Sequence, residues 1–278
     1  MAIRMLAIDL DDTLLRSDLS ISFRTRNAVR KAGAQGIAVV LASSRSPGAV
    51  DHFARLLEMH KRPGFIIANN GTLLQESHTG SVVFDARIPA EAALLVFDMA
   101  DAEGFAVQIY DDDIMYISRG NEFSEYGQKI TGLRQVVVEN FRSMVASGCR
   151  RMLIPADPML LKPLARLLAA YAGDGVSLRS AKPYLLEALP KDVDKGRALA
   201  LAAEKLSIPK ESVLAVGDSL NDESMLRWAG CPVAMINGDE RIKEIAALVT
   251  EKNNDEDGVA EVIERYVLKG EAPEDRNG

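Results

Sequence analysis

The sequence predicts an α/β protein with a doubly wound parallel-sheet core and an inserted α+β domain. Three observations favour this fold. About the first 80 positions alternate short apolar runs with helical patterns, the middle of the chain mixes helices with hairpin-like strands, and the first pattern returns after Pro190. Continuous apolar strands separated by helices are typical of a parallel sheet covered on both faces. We therefore expect a discontinuous core from residues 1–82 and 190–278, with the inserted domain at residues 83–189.

The first part of the core is predicted to alternate three strands with two helices. In the first of these helices Ala28, Val29 and Ala32 recur at helical spacing, and Gly36 follows as a stop signal. The expected strands are Met5–Ile8, Ile37–Leu41 and Phe65–Ala68, and the expected helices span about Ser22–Gln35 and Pro47–Met59. In such sheets ligands bind beyond the carboxyl ends of the strands.

The inserted domain is predicted to combine amphipathic helices with alternating strands. The expected helices span Pro89–Glu103 and Asp157–Ala170, and the expected strands span Phe105–Tyr110 and Ile114–Ser118. The acidic run Asp111–Asp113 falls between those two strands, where it indicates a solvated hairpin turn. This mixed pattern distinguishes the domain from the parallel core.

The second part of the core repeats the alternation of the first part. We expect helices at about Lys195–Lys205, Asp222–Ala229, Asp239–Ala247 and Gly258–Leu268, and strands at Val213–Val216 and Pro232–Ile236. The polar tail Glu271–Gly278 is expected to be frayed. Both ends of the chain are therefore predicted to build one sheet.

Composition excludes several classes of protein. A net charge of −7 argues against a nucleic-acid binder, because affinity for phosphate backbones comes from clustered Lys and Arg. No apolar stretch approaches the roughly 20 residues needed to cross a bilayer, so no membrane association is expected. The only two cysteines, Cys149 and Cys231, lack metal-binding spacing, and the N-terminus meets an aspartate too early for a signal peptide. We expect a cytoplasmic protein.

Two acidic clusters follow apolar strands. Asp9 and Asp11 stand one residue apart at the end of the first predicted strand, and Asp218 and Asp222 follow the strand that ends at Val216. Carboxylates converging from neighbouring strands repel one another unless a cation or a proton intervenes. Mg²⁺ prefers oxygen ligands of this kind, so the sequence predicts a Mg²⁺ site that also holds a phosphoryl group.

Each candidate residue has a role in phosphoryl transfer, where positioning and charge neutralisation do most of the work. Asp9 is the candidate nucleophile, and Asp11 is the candidate acid that protonates the leaving alkoxide and later deprotonates water. Ser43, after the second strand, is expected to hold phosphoryl oxygens, and Lys195 to neutralise their charge. Asn221 and Asp222 are expected to orient metal-bound water or Lys195.

At these residues the chain resembles the haloacid dehalogenase superfamily of phosphohydrolases, in particular its Cof-type branch. Four motifs carry the resemblance in family order: Asp-x-Asp-x-Thr at Asp9–Thr13, a Ser or Thr after a strand at Ser43, a Lys at Lys195, and Gly-Asp-x-x-Asn-Asp at Gly217–Asp222. Ala68–Gly71 and Leu189–Lys191 also look like that branch. Asp12 and Ser44 stand where the family usually has glycine, which puts the local backbone geometry and phosphate contacts in question.

The resemblance implies a Rossmann-like core and an inserted cap domain that closes over the site. It implies a Mg²⁺-dependent phosphatase that acts through an aspartyl-phosphate intermediate on a small phosphorylated metabolite, either a sugar phosphate or a phosphorylated cofactor such as pyridoxal phosphate or flavin mononucleotide. The implied phosphate contacts are Ser43, Ser44, Lys195 and Asn221, and the implied metal ligands are Asp9, Asp11, Asp218 and Asp222.

Three alternatives remain open at this point. A phosphomutase uses the same nucleophile but returns the phosphoryl group to the substrate, and a receiver-type signalling module also has paired acids, a Ser and a Lys around a parallel sheet. A catalytically silent binding protein is disfavoured because no expected group is missing. Arg45 is compatible with either a phosphate contact or a structural salt bridge. The sequence does not indicate an oligomeric state.

Overall fold

The computed structural model describes residues 2–111, 114–131, 133–171 and 173–271. The chain forms two units. The first consists of the residues up to Phe84 together with those from Asp194 onward, and the second consists of Asp85–Val193. The sequence predicts the boundaries after residue 82 and before residue 190. Asp112, Asp113 and most of the polar tail lie outside the described residues, so the predicted solvated turn and frayed end stay predictions.

The strands and helices alternate along both ends of the chain. In chain order the strands are β1 (Met5–Asp9), β2 (Ala38–Ala42), β3 (Gly64–Ala68), β4 (Leu73–Glu76), β5 (Val82–Asp85), β6 (Gln108–Asp111), β7 (Ile114–Ile117), β8 (Arg134–Val137), β9 (Met152–Pro155), β10 (Val176–Lys182), β11 (Leu185–Pro190), β12 (Val213–Gly217), β13 (Cys231–Ala234) and β14 (Leu248–Val249). The helices are α1 (Phe23–Ala34), α2 (Pro47–Leu56), α3 (Ala90–Ala102), α4 (Glu122–Thr131), α5 (Phe141–Ala146), α6 (Pro158–Tyr171), α7 (Lys195–Lys205), α8 (Glu223–Trp228), α9 (Glu240–Ile245) and α10 (Gly258–Val262).

The first unit is built on an eight-stranded sheet with the order β14-β13-β12-β1-β2-β3-β4-β5. Every pairing from β14 through β3 is parallel, and β4 adds antiparallel to β3. The predicted fold class is confirmed. The sequence analysis did not predict β4, β5 or β14, because β4 and β5 mix polar with apolar residues and β14 has only two residues.

Two apolar layers cover this sheet. Successive strand side chains point to opposite faces, so Leu6 and Ile8 pack with α1, α2 and α10, whereas Met5 and Ala7 pack with α7, α8 and α9. All four side chains are fully buried, as a doubly covered parallel strand requires. Helix α2 ends before the predicted Met59, because Glu58 adopts a left-handed φ of 60° that a helix does not tolerate.

The second unit contains a six-stranded sheet with the order β10-β11-β9-β6-β7-β8. Its pairings are antiparallel except that of β7 with β8, which α4 connects. Helices α3, α5 and α6 pack on one face, where the rings of Phe97 and Phe141 lie 5.5 Å apart. Cys149 lies in this core and Cys231 in the first unit, both as free buried thiols. No helix in the described ranges is both long and apolar enough to cross a bilayer.

Candidate functional site

Three neighbouring strands deliver the candidate residues to one edge of the parallel sheet. Strand β1 lies between β2 and β12, and Asp9 at its end pairs in register with Ala42. Ser43 follows β2 directly, and Asp218 follows β12. Because the strands are parallel, their carboxyl ends meet at the same edge. The two distant halves of the chain therefore contribute to one site.

Three carboxylates form a buried cluster at this edge. One oxygen from each of Asp9, Asp218 and Asp222 lies within 4.8 Å of the others, and the three residues are 4%, 8% and 0% exposed. Burial raises the pKa of Asp9, and the charge of Asp222 raises it further. Burial followed by the charge of Asp222 raises the pKa of Asp218 to about 7. The cluster therefore needs positive charge to hold its carboxylates ionised.

Lys195 supplies part of that charge. It begins α7, is 0% exposed, and its Nζ donates hydrogen bonds to Asp9 Oδ1 at 2.5 Å and to Asp222 Oδ1 at 2.7 Å. Burial by itself would lower the pKa of Lys195, but the carboxylates of Asp222 and Asp9 raise it above its ordinary value. One ammonium among three carboxylates leaves the cluster short of positive charge. A divalent cation with a preference for oxygen ligands, such as Mg²⁺, fits this donor set.

Hydrogen bonds from the loops after β12 and β1 fix two of the carboxylates. Asp222 Oδ2 accepts hydrogen bonds from the backbone N–H groups of Asp218 and Ser219, both at 3.1 Å, and Thr13 donates to Asp218 Oδ1 at 2.7 Å. A Cβ at Gly217 would lie 2.7 Å from the side chain of Asp222, so only glycine fits there. Thr13 belongs to the first sequence motif, but sequence analysis gave it no role because its distant partner is not visible in the sequence.

The predicted phosphate contacts lie around the same edge. Ser43 is 0% exposed, and its Oγ accepts a hydrogen bond from the backbone N–H of Arg45 at 3.1 Å. Asn221 follows β12, where its Nδ2 donates to Asn70 Oδ1 at 3.2 Å. Ser44 follows Ser43 in the loop after β2 and is half-buried. Asn70 is a contact that sequence analysis missed, since it comes from the turn after β3.

Asp11 lies apart from the buried carboxylates. Its side chain is 42% exposed and forms an ion pair with Arg45, whose Nε and Nη2 donate to Asp11 Oδ2 at 2.9 Å and Oδ1 at 2.5 Å. The guanidinium also lies 5.5 Å from the ring centre of Phe53. Arg45 therefore makes the salt bridge that the sequence left as one of two alternatives. Among the described residues, the set of carboxylates that could hold a metal ion contains Asp9, Asp218 and Asp222 but not Asp11.

Asp12 shows how this chain replaces a glycine that is usual in the resembled family. Its φ is 57° and its ψ is 7°, a left-handed conformation that glycine adopts without strain and that aspartate tolerates better than most residues. Asn237 donates a hydrogen bond from Nδ2 to the carbonyl oxygen of Asp12 at 2.8 Å. The turn between Asp11 and Thr13 thus keeps a glycine-like backbone without glycine.

Comparisons with known proteins agree with this geometry. The sequence model of the haloacid dehalogenase-like hydrolase family matches residues 6–263. Phosphatase YwpJ of Bacillus subtilis is 28% identical over 309 aligned positions, which cover 95% of this chain and 100% of that protein. The 5-amino-6-(5-phospho-D-ribitylamino)uracil phosphatase YcsE of the same organism is 28% identical, and the alignment covers 96% of this chain and 96% of that protein. The crystal structure of a haloacid dehalogenase-like hydrolase from Bacteroides thetaiotaomicron matches with a TM-score of 0.88 at 29% identity, covering 95% of this chain and 99% of that one.

Proposed function

This chain belongs to the haloacid dehalogenase-like hydrolases, and we propose that it hydrolyses a small phosphate monoester through a phosphoryl group carried on Asp9. YwpJ and YcsE are both named as phosphatases, and the name of YcsE specifies a small phosphorylated compound. The observation that supports this mechanism best is the buried cluster of Asp9, Asp218 and Asp222 with Lys195 bonded to two of the three carboxylates. With a divalent cation bound, such a site would neutralise the charge of a phosphoryl group while holding a carboxylate beside it.

In the first step Asp9 attacks phosphorus, the Asp9–phosphorus bond forms, and the ester bond to the substrate oxygen breaks. Lys195 holds Asp9 Oδ1, which leaves Oδ2 as the attacking atom. For this step Asp11 leaves its ion pair with Arg45, carries the proton that it took from water in the preceding turnover, and gives that proton to the departing alkoxide. Ser43 and Asn221 hold phosphoryl oxygens during this transfer.

In the second step water attacks the acyl phosphate and gives a proton to Asp11. The bond between phosphorus and Asp9 breaks, inorganic phosphate leaves, and Asp9 is restored. A bound Mg²⁺ would supply the charge neutralisation that lets the Asp9 carboxylate approach the phosphoryl group. Asp9, Asp218 and Asp222 are the residues that would hold it, since their oxygens converge.

The substrate is proposed by chemical class. The relative YcsE is named for a phosphorylated ribityl compound, so phosphate esters of sugars and sugar alcohols are the first class to test. Phosphorylated cofactors such as pyridoxal phosphate and flavin mononucleotide form the second class. Stoichiometric release of free phosphate from any of them separates a phosphatase from a phosphomutase, which yields an isomeric phosphate ester instead.

The direct test of this function is the variant Asp9→Asn with p-nitrophenyl phosphate as substrate. We expect no phosphate release above background, because an amide is a poor nucleophile toward phosphorus. Asp51→Asn is the matched control: Asp51 pairs with Arg55 on the surface of α2, and its loss should leave turnover unchanged. Circular dichroism spectra of both variants should match that of the wild type. Normal turnover by Asp9→Asn would contradict the nucleophile assignment.

A further inference from the structure

We propose that the turn Asn69–Gly71 is a positioning element of the phosphoryl site, in which Asn70 holds the side chain of Asn221 in the orientation that binds phosphate. The inference rests on the proposed function and adds a residue to it. Neither the charge cluster nor the four sequence motifs include this turn. Its backbone conformation and its contacts with three other site loops both support the role.

The turn holds three consecutive residues in the left-handed region. The φ angles of Asn69, Asn70 and Gly71 are 48°, 56° and 101°, and both asparagines are less than 5% exposed. Left-handed residues other than glycine store strain, which persists only where the surrounding structure imposes the conformation, and such residues cluster at functional sites. A buried turn of this kind therefore needs strong local contacts to stay in place.

Backbone hydrogen bonds provide the first of these contacts. The N–H of Asn69 donates to the carbonyl oxygen of Arg45 at 2.9 Å, and the N–H of Asn70 donates to the carbonyl oxygen of Ser43 at 3.0 Å. These two hydrogen bonds join the turn to the loop after β2, which carries the predicted phosphate contact Ser43. A left-handed conformation at both asparagines points these two N–H groups at the same loop.

The side chain of Asn70 provides the second contact. Asn221 has its amide engaged at both ends: Nδ2 donates to Asn70 Oδ1 at 3.2 Å, and Oδ1 accepts from Ser219 Oγ at 2.5 Å. An amide nitrogen carries two hydrogens, so one remains for a phosphoryl oxygen. Hydrogen bonds at both ends restrain the amide of Asn221, and its remaining hydrogen is thereby held in one direction.

Gly71 provides the third contact. A Cβ at this position would lie 2.2 Å from the carbonyl oxygen of Asp194 and 2.9 Å from the backbone nitrogen of Lys195. The turn therefore touches the start of α7 with no space for a side chain. The three residues of the turn contact the segments that carry Ser43, Lys195 and Asn221, which are three of the four predicted phosphate contacts.

The experiment compares Asn70→Gly, Asn221→Ala and the double variant. Glycine keeps the left-handed backbone and removes the side chain of Asn70, so the fold should persist while Asn221 is released. In the presence of Mg²⁺ we expect Asn70→Gly to raise the dissociation constant of inorganic phosphate, measured by calorimetry, roughly threefold to tenfold, the loss typical of one hydrogen bond. The KM for p-nitrophenyl phosphate should rise by a similar factor, with a smaller change in kcat.

Non-additivity distinguishes positioning from general structural damage. If Asn70 acts through Asn221, the double variant should bind phosphate no more weakly than Asn221→Ala alone. The matched control is Ser207→Gly, which changes an exposed left-handed residue beyond the end of α7 and should alter neither constant. An unchanged phosphate affinity in Asn70→Gly, or fully additive losses in the double variant, would overturn the inference.

A measurement on the wild type keeps the proposal testable should Asn70→Gly fail to fold. The two side-chain amide protons of Asn221 are observed by NMR and assigned by their absence from the spectrum of Asn221→Ala. One of them should be protected from exchange before phosphate is added. The other should shift when phosphate is titrated in. Two freely exchanging protons would refute the role of Asn70. If the wild type released no phosphate from any ester but still bound inorganic phosphate with this signature, the proposed function would fail and the positioning role would stand.

Discussion

Replacing Lys195 by methionine should destabilise the protein strongly. Lys195 is 0% exposed, and its ammonium is hydrogen-bonded to Asp9 and Asp222, whose side chains are 6% and 0% exposed. Methionine has a similar length but carries no charge, so the change leaves two buried carboxylates facing each other without a cation. Removing one partner of a buried ion pair costs about 3–5 kcal/mol. We expect the free energy of unfolding of the metal-free protein to fall by about this amount.

Urea unfolding of the metal-free protein measures this loss. The chain has one tryptophan, Trp228, which packs against the core on the α7 side of the sheet and reports on its unfolding by fluorescence. Lys205→Met is the matched control at the other end of α7: its Nζ lies 3.6 Å from Glu76 and its side chain is 49% exposed, so about 1 kcal/mol or less is expected.

Magnesium provides a second comparison on the same variant. A cation bound to the three carboxylates would replace part of the charge that Lys195 supplied, so Mg²⁺ should stabilise Lys195→Met more than it stabilises the wild type. A loss equal to that of Lys205→Met in metal-free buffer would refute the reasoning, because it would mean that the buried ammonium does not neutralise Asp9 and Asp222.

Three further predictions concern the charge cluster and the turn beside it. Titration of the metal-free wild type with Mg²⁺ should raise its Tm by mass action, and Asp218→Asn should abolish most of that rise. Because burial raises the pKa of Asp218 from 3.8 to about 7, the folded metal-free protein binds a proton at Asp218 that the unfolded chain has released. The stability of the wild type relative to Asp218→Asn should therefore fall as pH rises across that range, and Mg²⁺ should reduce the fall; a relative stability that rises with pH there would contradict this. Gly71→Ala should cost about 1–3 kcal/mol in urea unfolding and lower kcat, because a Cβ would meet the start of α7; an unchanged kcat would show that α7 is not displaced.

The architecture of the core was predictable from the sequence because its parallel strands are continuous apolar runs. Met5–Ile8 and Val213–Val216 each supply side chains to both covered faces, and the acidic residues that follow them converge once the two strands lie side by side. The position of Lys195 at the start of a helix was also predictable from the sequence. A lysine at a helix N-terminus is unfavourable with the helix dipole, and an anionic partner explains it.

Other parts of the site depend on contacts that no local pattern encodes. The pairing of Arg45 with Asp11 joins two strand-end loops, and the bond between Asn70 and Asn221 joins residues 151 positions apart. The left-handed angles of Asn69 and Asn70 depend on the loops around them, since asparagine is also compatible with ordinary turns. In the second unit the short strands β8, β9 and β10 carry too few residues, or too mixed a pattern, to be distinguished from loops.

The central claim is that Asp9 carries the phosphoryl group during turnover. The most direct measurement is a single-turnover reaction with an excess of wild-type enzyme over substrate, quenched in acid and followed by mass spectrometry of the proteolysed chain. We predict that the peptide containing Asp9 gains the mass of one phosphoryl group before free phosphate appears and loses it as phosphate accumulates. Release of phosphate with no phosphorylated peptide at any time, or with the group on another residue, would contradict the account.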